Sequence, residues 1–213
     1  MPRLSYRERV TRIIAGTARG ARLEVPGAGT RPTSDRVRES LFGSLESADG
    51  IDGARVLDLY AGSGALGLEA LSRGAATADL VERGRQAAEL IRRNAATIAK
   101  AGVSGAARVH EAAVHTYLQR SAGPFDLVFS DPPYDLDDEA MTADLIALTP
   151  LLSADALVVV ERARRSTPPD FGRAGLELVR EKTYGDTAIW WGQPPANDEA
   201  DSGPQPETES QSR

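Results

Sequence analysis

From Arg55 onward, short apolar runs alternate with longer stretches of helical spacing. The apolar runs are Val56–Tyr60, Ala78–Val81, Ala107–His110, Phe125–Ser130 and Leu157–Glu161, and the helical stretches cover 65–73, 84–101, 113–121 and 138–149. This βαβα repetition predicts an α/β fold, a parallel sheet with helices on both faces. Ahead of it, Ile13, Ile14, Leu23 and Val25 with Gly16 and Gly20 between them predict a short hairpin over 12–25. A helix is expected from an N-cap at Thr33 or Ser34, carrying Val37, Leu41, Phe42 and Leu45 on one face. Leu176–Thr183 and Thr187–Trp191 around Tyr184-Gly185-Asp186 predict a closing hairpin, with Trp190 and Trp191 as packing residues. Three parts are expected: an extension over 1–50, a main domain over 51–193, and a disordered acidic tail over 194–213.

Composition removes several chemistries. The 213 residues include no cysteine, which excludes disulfides, thiolate metal sites and a cysteine nucleophile. His110 and His115 are the sole histidines, so no metal site is expected, and both read as ordinary surface or strand-end residues. No run of about 18 apolar residues occurs, and the opening residues carry charge without an apolar signal core. We therefore expect a cytoplasmic protein with no membrane partner. The net charge is −6, but it is unevenly spread. Residues 1–42 hold nine arginines against Glu8, Glu24, Asp35 and Glu39, while 194–213 hold five acids against Arg213. A basic front end in an acidic chain can bind phosphates locally, or it can be a solvated arginine-rich surface.

The strand Val56–Tyr60 runs into Ala61-Gly62-Ser63-Gly64-Ala65-Leu66-Gly67, a G-x-G-x-x-G in its strand–turn–helix setting. Glycines let the backbone approach a ligand closely, and a helix N-terminus offers free N–H groups. That identifies a nucleotide-like ligand without choosing one. Asp58, inside the strand, would repel a pyrophosphate and favour a cationic ligand such as S-adenosylmethionine. Glu82, at the end of the next strand, suits the two hydroxyls of a ribose. After the third strand, Glu111-Ala112-Ala113 has a small residue where many such folds carry an acid.

Phe125–Ser130 delivers Asp131-Pro132-Pro133-Tyr134. Two prolines stop a strand and fix a rigid corner. Asp131 and the Pro132 carbonyl can each accept an N–H bond from an exocyclic amino group, and the Tyr134 ring can stack on a planar base. Orienting such an amino group and supporting its developing charge is most of the catalysis required.

Val56–Gly67 together with Asp131–Tyr134 resemble the class I S-adenosylmethionine-dependent amino-methyltransferases. Three further stretches narrow this: Arg12-Ile13-Ile14-Ala15-Gly16, Thr30-Arg31-Pro32-Thr33-Ser34-Asp35-Arg36-Val37-Arg38-Glu39-Ser40-Leu41-Phe42, and Glu69-Ala70-Leu71-Ser72-Arg73-Gly74-Ala75. With them, residues 11–192 are very similar to the bacterial small-subunit rRNA guanine-N2 methyltransferases known as the RsmD family. The resemblance implies a Rossmann-like, seven-stranded sheet whose last hairpin reverses one strand, with a small N-terminal hairpin-and-helix extension over the cofactor. It implies methylation of the N2 amino group of guanine 966 in 16S rRNA, within the small ribosomal subunit or an assembly intermediate, by a monomeric enzyme. Cofactor contacts are then expected at Thr33, Asp58, Ala61, Gly62, Ser63, Gly64, Glu82, Arg83 and Ala112. Catalysis is expected at Asp131, Pro132 and Tyr134, and RNA contact at Arg31, Arg36 and Arg38. For Arg36 and Arg38 a second role is open, clamping the helix through Glu39 or Glu69.

Other readings compete. A DNA adenine-N6 methyltransferase would share the tetrapeptide, but no target-recognition segment lies between 135 and 193. A glutamine-N5 protein methyltransferase usually begins that motif with Asn. An NAD(P)-dependent oxidoreductase would leave Asp58 and the tetrapeptide unused, and an inactive nucleotide-sensing module would leave the whole site so.

Overall fold

A computed structural model describes residues 10–26 and 35–196. Arg31, Thr33, the N-cap expected at Thr33 or Ser34, and the tail from 197 onward lie outside the described residues. The hairpin pairs β1 (Val10–Arg12) with β2 (Arg22–Glu24), and α1 (Asp35–Ser47) follows. Then come β3 (Arg55–Leu59), α2 (Ala65–Ser72), β4 (Thr77–Glu82), α3 (Arg85–Lys100), β5 (Ala106–Glu111), α4 (Val114–Leu118), β6 (Phe125–Ser130) and α5 (Asp138–Leu148). Three strands complete the order: β7 (Leu152–Ala163), β8 (Glu177–Tyr184) and β9 (Thr187–Gln193).

The seven larger strands form one sheet in the order β5-β4-β3-β6-β7-β9-β8. Only β9 runs against its neighbours, pairing antiparallel with β7 and β8. Strand alternation divides the core in two. Val56, Leu127, Phe129, Val159, Ile189 and Trp191 face α2, α3 and the N-terminal segment. Leu57, Leu59, Val128, Val158, Val160 and Trp190 face α4 and α5. The two tryptophans thus fill opposite faces of one strand, each almost fully buried.

The N-terminal segment joins the first of these cores. Ile13, Leu23, Leu41, Phe42 and Leu45 pack with the sheet residues of that face, and the Phe42 and Phe129 rings lie 5.6 Å apart. Two elements differ most from the expected lengths. The fourth helix stops at Leu118 because the Tyr117 carbonyl takes both the Arg120 and Ser121 amides, closing the turn. The seventh strand runs over Leu152–Ala163 rather than 157–161, with a register shift opposite Phe125/Leu127 that absorbs its polar start.

The hairpin turn sits on the end of α2. Thr17 N–H donates to the Ser72 carbonyl at 2.7 Å, and Ser72 Oγ donates to the Ala15 carbonyl at 2.6 Å. Gly16, at φ +78°, is part of that contact, and a Cβ there would fall 1.8 Å from the Ser72 oxygen. Gly20 has φ +84° but no neighbour within 4 Å of its added Cβ. Gly16→Ala should therefore cost about 2–4 kcal/mol, overpacking added to a strained φ, and Gly20→Ala only about 1 kcal/mol. Urea unfolding of the two variants measures this; equal losses would show that the contact with α2 carries no weight.

Candidate active site

The strand order reverses at β3. The chain moves from β3 outward to β4 and β5, then returns to build β6 on the other side of β3. Ligands of open α/β sheets bind in the crevice that such a reversal opens at the carboxyl ends of the strands. Leu59 and Ser130 are register partners across β3 and β6. The glycine loop and the tetrapeptide therefore leave the sheet side by side, at a strand spacing of about 4.8 Å.

The glycine loop is held at several backbone points. Ala61 N–H donates to the Val81 carbonyl at 3.0 Å, and Gly64 N–H to the Ala61 carbonyl at 2.6 Å. Gly64 has φ +77°, and a Cβ would meet Ile91 and Leu80 at 3.0 and 3.1 Å, so both conformation and space demand glycine. Glu82, partly exposed at the end of β4, accepts the Gly62 N–H at 3.1 Å and the Gly84 N–H at 2.6 Å. Ala112 N–H closes the same edge on the Glu82 carbonyl at 3.1 Å. Arg83 is exposed beside it, Ala61 is buried, and Ser63 is partly exposed. A carboxylate at this outer edge can accept a pair of ribose hydroxyls.

Asp58 lies inside β3 beside the loop and is buried. Its side chain is 1% exposed, and its carboxylate accepts the Gly67 N–H at 2.9 Å. It lies beneath the loop, on the α2 side of β3, and fixes the first turn of α2. Burial pushes its carboxyl up to about 7, opposed by the Gly67 N–H and aided by the Glu82 charge.

Asn94 belongs to this site and was not singled out from sequence. Fully buried, its amide nitrogen donates to the Ser63 and Glu24 carbonyls, both at 2.9 Å, and its oxygen accepts the Glu24 N–H at 2.8 Å. It ties β2 to the glycine loop. The signal was an asparagine in helical register with Ile91 and Ile98 on the apolar face of α3.

On the β6 side, Asp131 is partly buried, Pro132 buried, and Tyr134 exposed. Leu136 N–H donates to the Pro133 carbonyl at 3.0 Å, closing a turn that carries Tyr134. Below, the Tyr60 hydroxyl donates to Asp144 of α5. Burial and the Asp144 charge keep the Tyr60 proton far above the usual phenol range. His115 Nδ1 lies 3.0 Å from the other Asp144 oxygen, and His110 Nε2 lies 2.7 Å from Asp79. His115 is exposed and His110 stands partly exposed near the end of β5, as ordinary surface and strand-end residues do, and each has a buried acid partner.

The arginines of α1 divide. Arg36 is exposed. Arg38 is 1% exposed; its Nη2 donates to Thr11 Oγ1, the Arg12 carbonyl and Asp35 Oδ1, each at 2.8 Å. Its Nη1 lies 3.9 Å from Glu69. Arg38 therefore clamps α1 to the hairpin and offers no surface to a polyanion, which corrects its assignment to RNA. Two residues along a helix differ by about 200° in direction, enough to send neighbouring arginines to opposite environments.

The buried Asp58 sets a pH test. Its folded-state pKa lies above its unfolded one, so the folded state holds the extra proton between about 4 and 7. Asp58 therefore favours folding most in acid, and that contribution is lost as pH rises to about 7. Asp58→Asn keeps an acceptor for Gly67 and removes the titration. Its stability relative to the parent should climb from pH 5 to pH 7, by at most about 1.4 kcal/mol per pH unit, then level off. Parallel stability curves in urea unfolding across that range would rule out a perturbed carboxyl.

The family model described as "Conserved hypothetical protein 95" matches residues 11–193. The chain is 41% identical over 192 residues to "Ribosomal RNA small subunit methyltransferase D" of Escherichia coli (strain K12), covering 90% of this chain and 93% of that one. It is 35% identical over 176 residues to the protein of the same name in Haemophilus influenzae, covering 82% and 89%. A solved Escherichia coli structure superposes with a TM-score of 0.75 at 39% identity, covering 88% of this chain and 99% of that one. The glycine loop, the tetrapeptide and the sheet with its reversed β9 all lie within the matched span, and the chain belongs to the RsmD family of class I methyltransferases.

Proposed function

We propose that this protein transfers a methyl group from S-adenosylmethionine to the exocyclic N2 amino group of guanine 966 in 16S rRNA, within the small ribosomal subunit or an assembly intermediate. That substrate places the reaction in the cytoplasm. The observation that carries the reading is the β3–β6 register, which sets the glycine loop beside Asp131–Tyr134. The residues suit the cofactor: Glu82 stands partly exposed at the loop's edge for the ribose, and the Gly62–Gly64 backbone opens at the start of α2. When bound, S-adenosylmethionine supplies an electrophilic methyl group on a sulfonium.

The protein's part is orientation and charge. Asp131 and the Pro132 carbonyl accept hydrogen bonds from the two N–H groups of the target amino group and hold those hydrogens out of the ring plane, which takes the nitrogen lone pair out of conjugation and aims it at the methyl. Asp131 also supports the positive charge that grows on nitrogen as it takes the methyl, whose bond to sulfur would break with the electron pair left on sulfur, and one amino proton then leaves along the hydrogen bond to Asp131. Tyr134, at 66% exposure, offers its ring to the base. Arg36 takes a phosphate of the incoming RNA. An oxidoreductase would have no use for this second half of the site, and the two relatives named above are both methyltransferases by name.

Small subunits lacking the modification, incubated with methyl-labelled S-adenosylmethionine, should gain label, recovered after digestion as N2-methylguanosine. Label in duplex DNA or protein instead would overturn the substrate. Asp131→Ala should slow single-turnover transfer by about 10²–10³-fold with cofactor affinity intact. Glu82→Ala should weaken cofactor binding by about 10- to 150-fold. Arg36→Ala should lower RNA affinity and reduce its salt slope by about 1. A normal slope in that variant would remove Arg36 from the RNA interface.

A further inference from the structure

Arg162 lies two residues beyond Val160, the register partner of Ser130 at the end of β6. It therefore stands level with the tetrapeptide. Its position on β7 shares the face of Val158 and Val160, the face packed by α5. Its side chain is 5% exposed, and a buried arginine needs partners. Nη2 donates to the Leu136 carbonyl at 2.9 Å, and Nη1 lies 3.8 Å from Asp138 Oδ1. Nε has no hydrogen-bond partner among the described residues.

Both contacts fall on one short segment. Leu136 closes the turn that begins at Pro133, and Asp138 is the first residue of α5. Asp137 caps that helix by accepting the Ala140 N–H at 2.7 Å. Tyr134 is the second residue of the turn, with most of its surface in solvent. The turn is thus fixed at its start by the two prolines after β6 and at its end by the guanidinium of Arg162. A lysine could not reach a carbonyl and a carboxylate at once with the same rigid fork.

We propose that Arg162 is a positioning residue: by holding Leu136 and Asp138 it sets the angle at which the Tyr134 ring meets the target base. This rests on the reading above, in which Tyr134 stacks on a guanine of the substrate. The work of Arg162 is done in the free enzyme, because a ring already oriented loses less freedom when the base arrives. Its hydrogen bond and ion pair go to Leu136 and Asp138 and not to the glycine loop or Glu82, so cofactor affinity should be independent of it.

The test is a double-mutant cycle with a second, activity-free readout. Arg162→Met keeps length and removes every donor. Single-turnover methyl transfer at saturating cofactor and small subunits should slow about tenfold in Arg162→Met, the loss of one charge-assisted bond. In a Tyr134→Ala background the same substitution should change the rate little, because the group it positions is gone. Arg162→Lys should recover part of the loss. Cofactor affinity should match the parent in all four proteins. Hydrogen exchange at the Leu136 amide should quicken in Arg162→Met, while amides of β6 and α3 keep their protection. A full tenfold loss persisting without Tyr134 would overturn the proposal, since it would mark a general structural effect. Unchanged exchange at Leu136 would overturn it as well. Faster exchange at Leu136 in a protein whose parent form methylates no small subunit would uphold the hold on the turn and sink the substrate assignment.

Discussion

Glu69 is a carboxylate with no exposed surface, and the placement of the N-terminal segment depends on it. From α2, one oxygen accepts the Ile14 N–H at 2.7 Å and the other the Ala15 N–H at 3.0 Å. Arg73 donates to it at 2.8 Å, and Arg38 stands 3.9 Å away. Arg73 also pairs with Glu46 at 2.8 Å and lies over the Phe42 ring. One buried charge thus joins the hairpin, α1 and α2. Such an arrangement is all or none: removing one partner of a buried pair costs about 3–5 kcal/mol, because the other is left charged and dry.

The consequence reaches the glycine loop. With the hairpin seated on α2, the end of β2 comes to Asn94, and Asn94 in turn holds the Ser63 carbonyl. Glu82 takes the Gly62 N–H from the outer side, and Asp58 takes the Gly67 N–H from below. Three side chains from three elements fix one loop at three backbone groups. A loop built mainly of glycine and small residues has little side-chain packing to define it, so these bonds supply the rigidity that a binding site needs.

What sequence reveals about this fold follows from what burial does to residue patterns. Val56–Tyr60 and Phe125–Ser130 are legible because strands of a parallel sheet, covered on both faces, read as continuous apolar runs. The glycine loop and the double proline are legible because few backbone conformations accept them. Arg36 and Arg38 are not separable by charge, since both count as +1 and only helix phase sends one inward. Asp58 is close to the loop along the chain, but strand alternation puts it on the side of Val56, facing α2. Arg162 falls at the far end of a strand expected to stop at 161, so its burial was hidden by two residues of extra pairing with β9.

The two halves of the site hang on neighbouring strands, and their relative position is set first by the β3–β6 ladder. A ladder fixes backbone to backbone; it leaves the loops beyond it free to drift. Displacements of about 1 Å at a reacting centre can cost about 10²-fold in rate, so a second connection outside the sheet has value. Tyr60 supplies one. It is the first residue past β3, turned to φ 60°, and its hydroxyl bonds Asp144 on the helix that follows the tetrapeptide. Because burial and the Asp144 charge hold the phenol proton in place, Tyr60 remains a neutral donor across the physiological pH range. The bond tying the glycine loop to the helix beyond the tetrapeptide therefore does not depend on the phenol losing or gaining a proton.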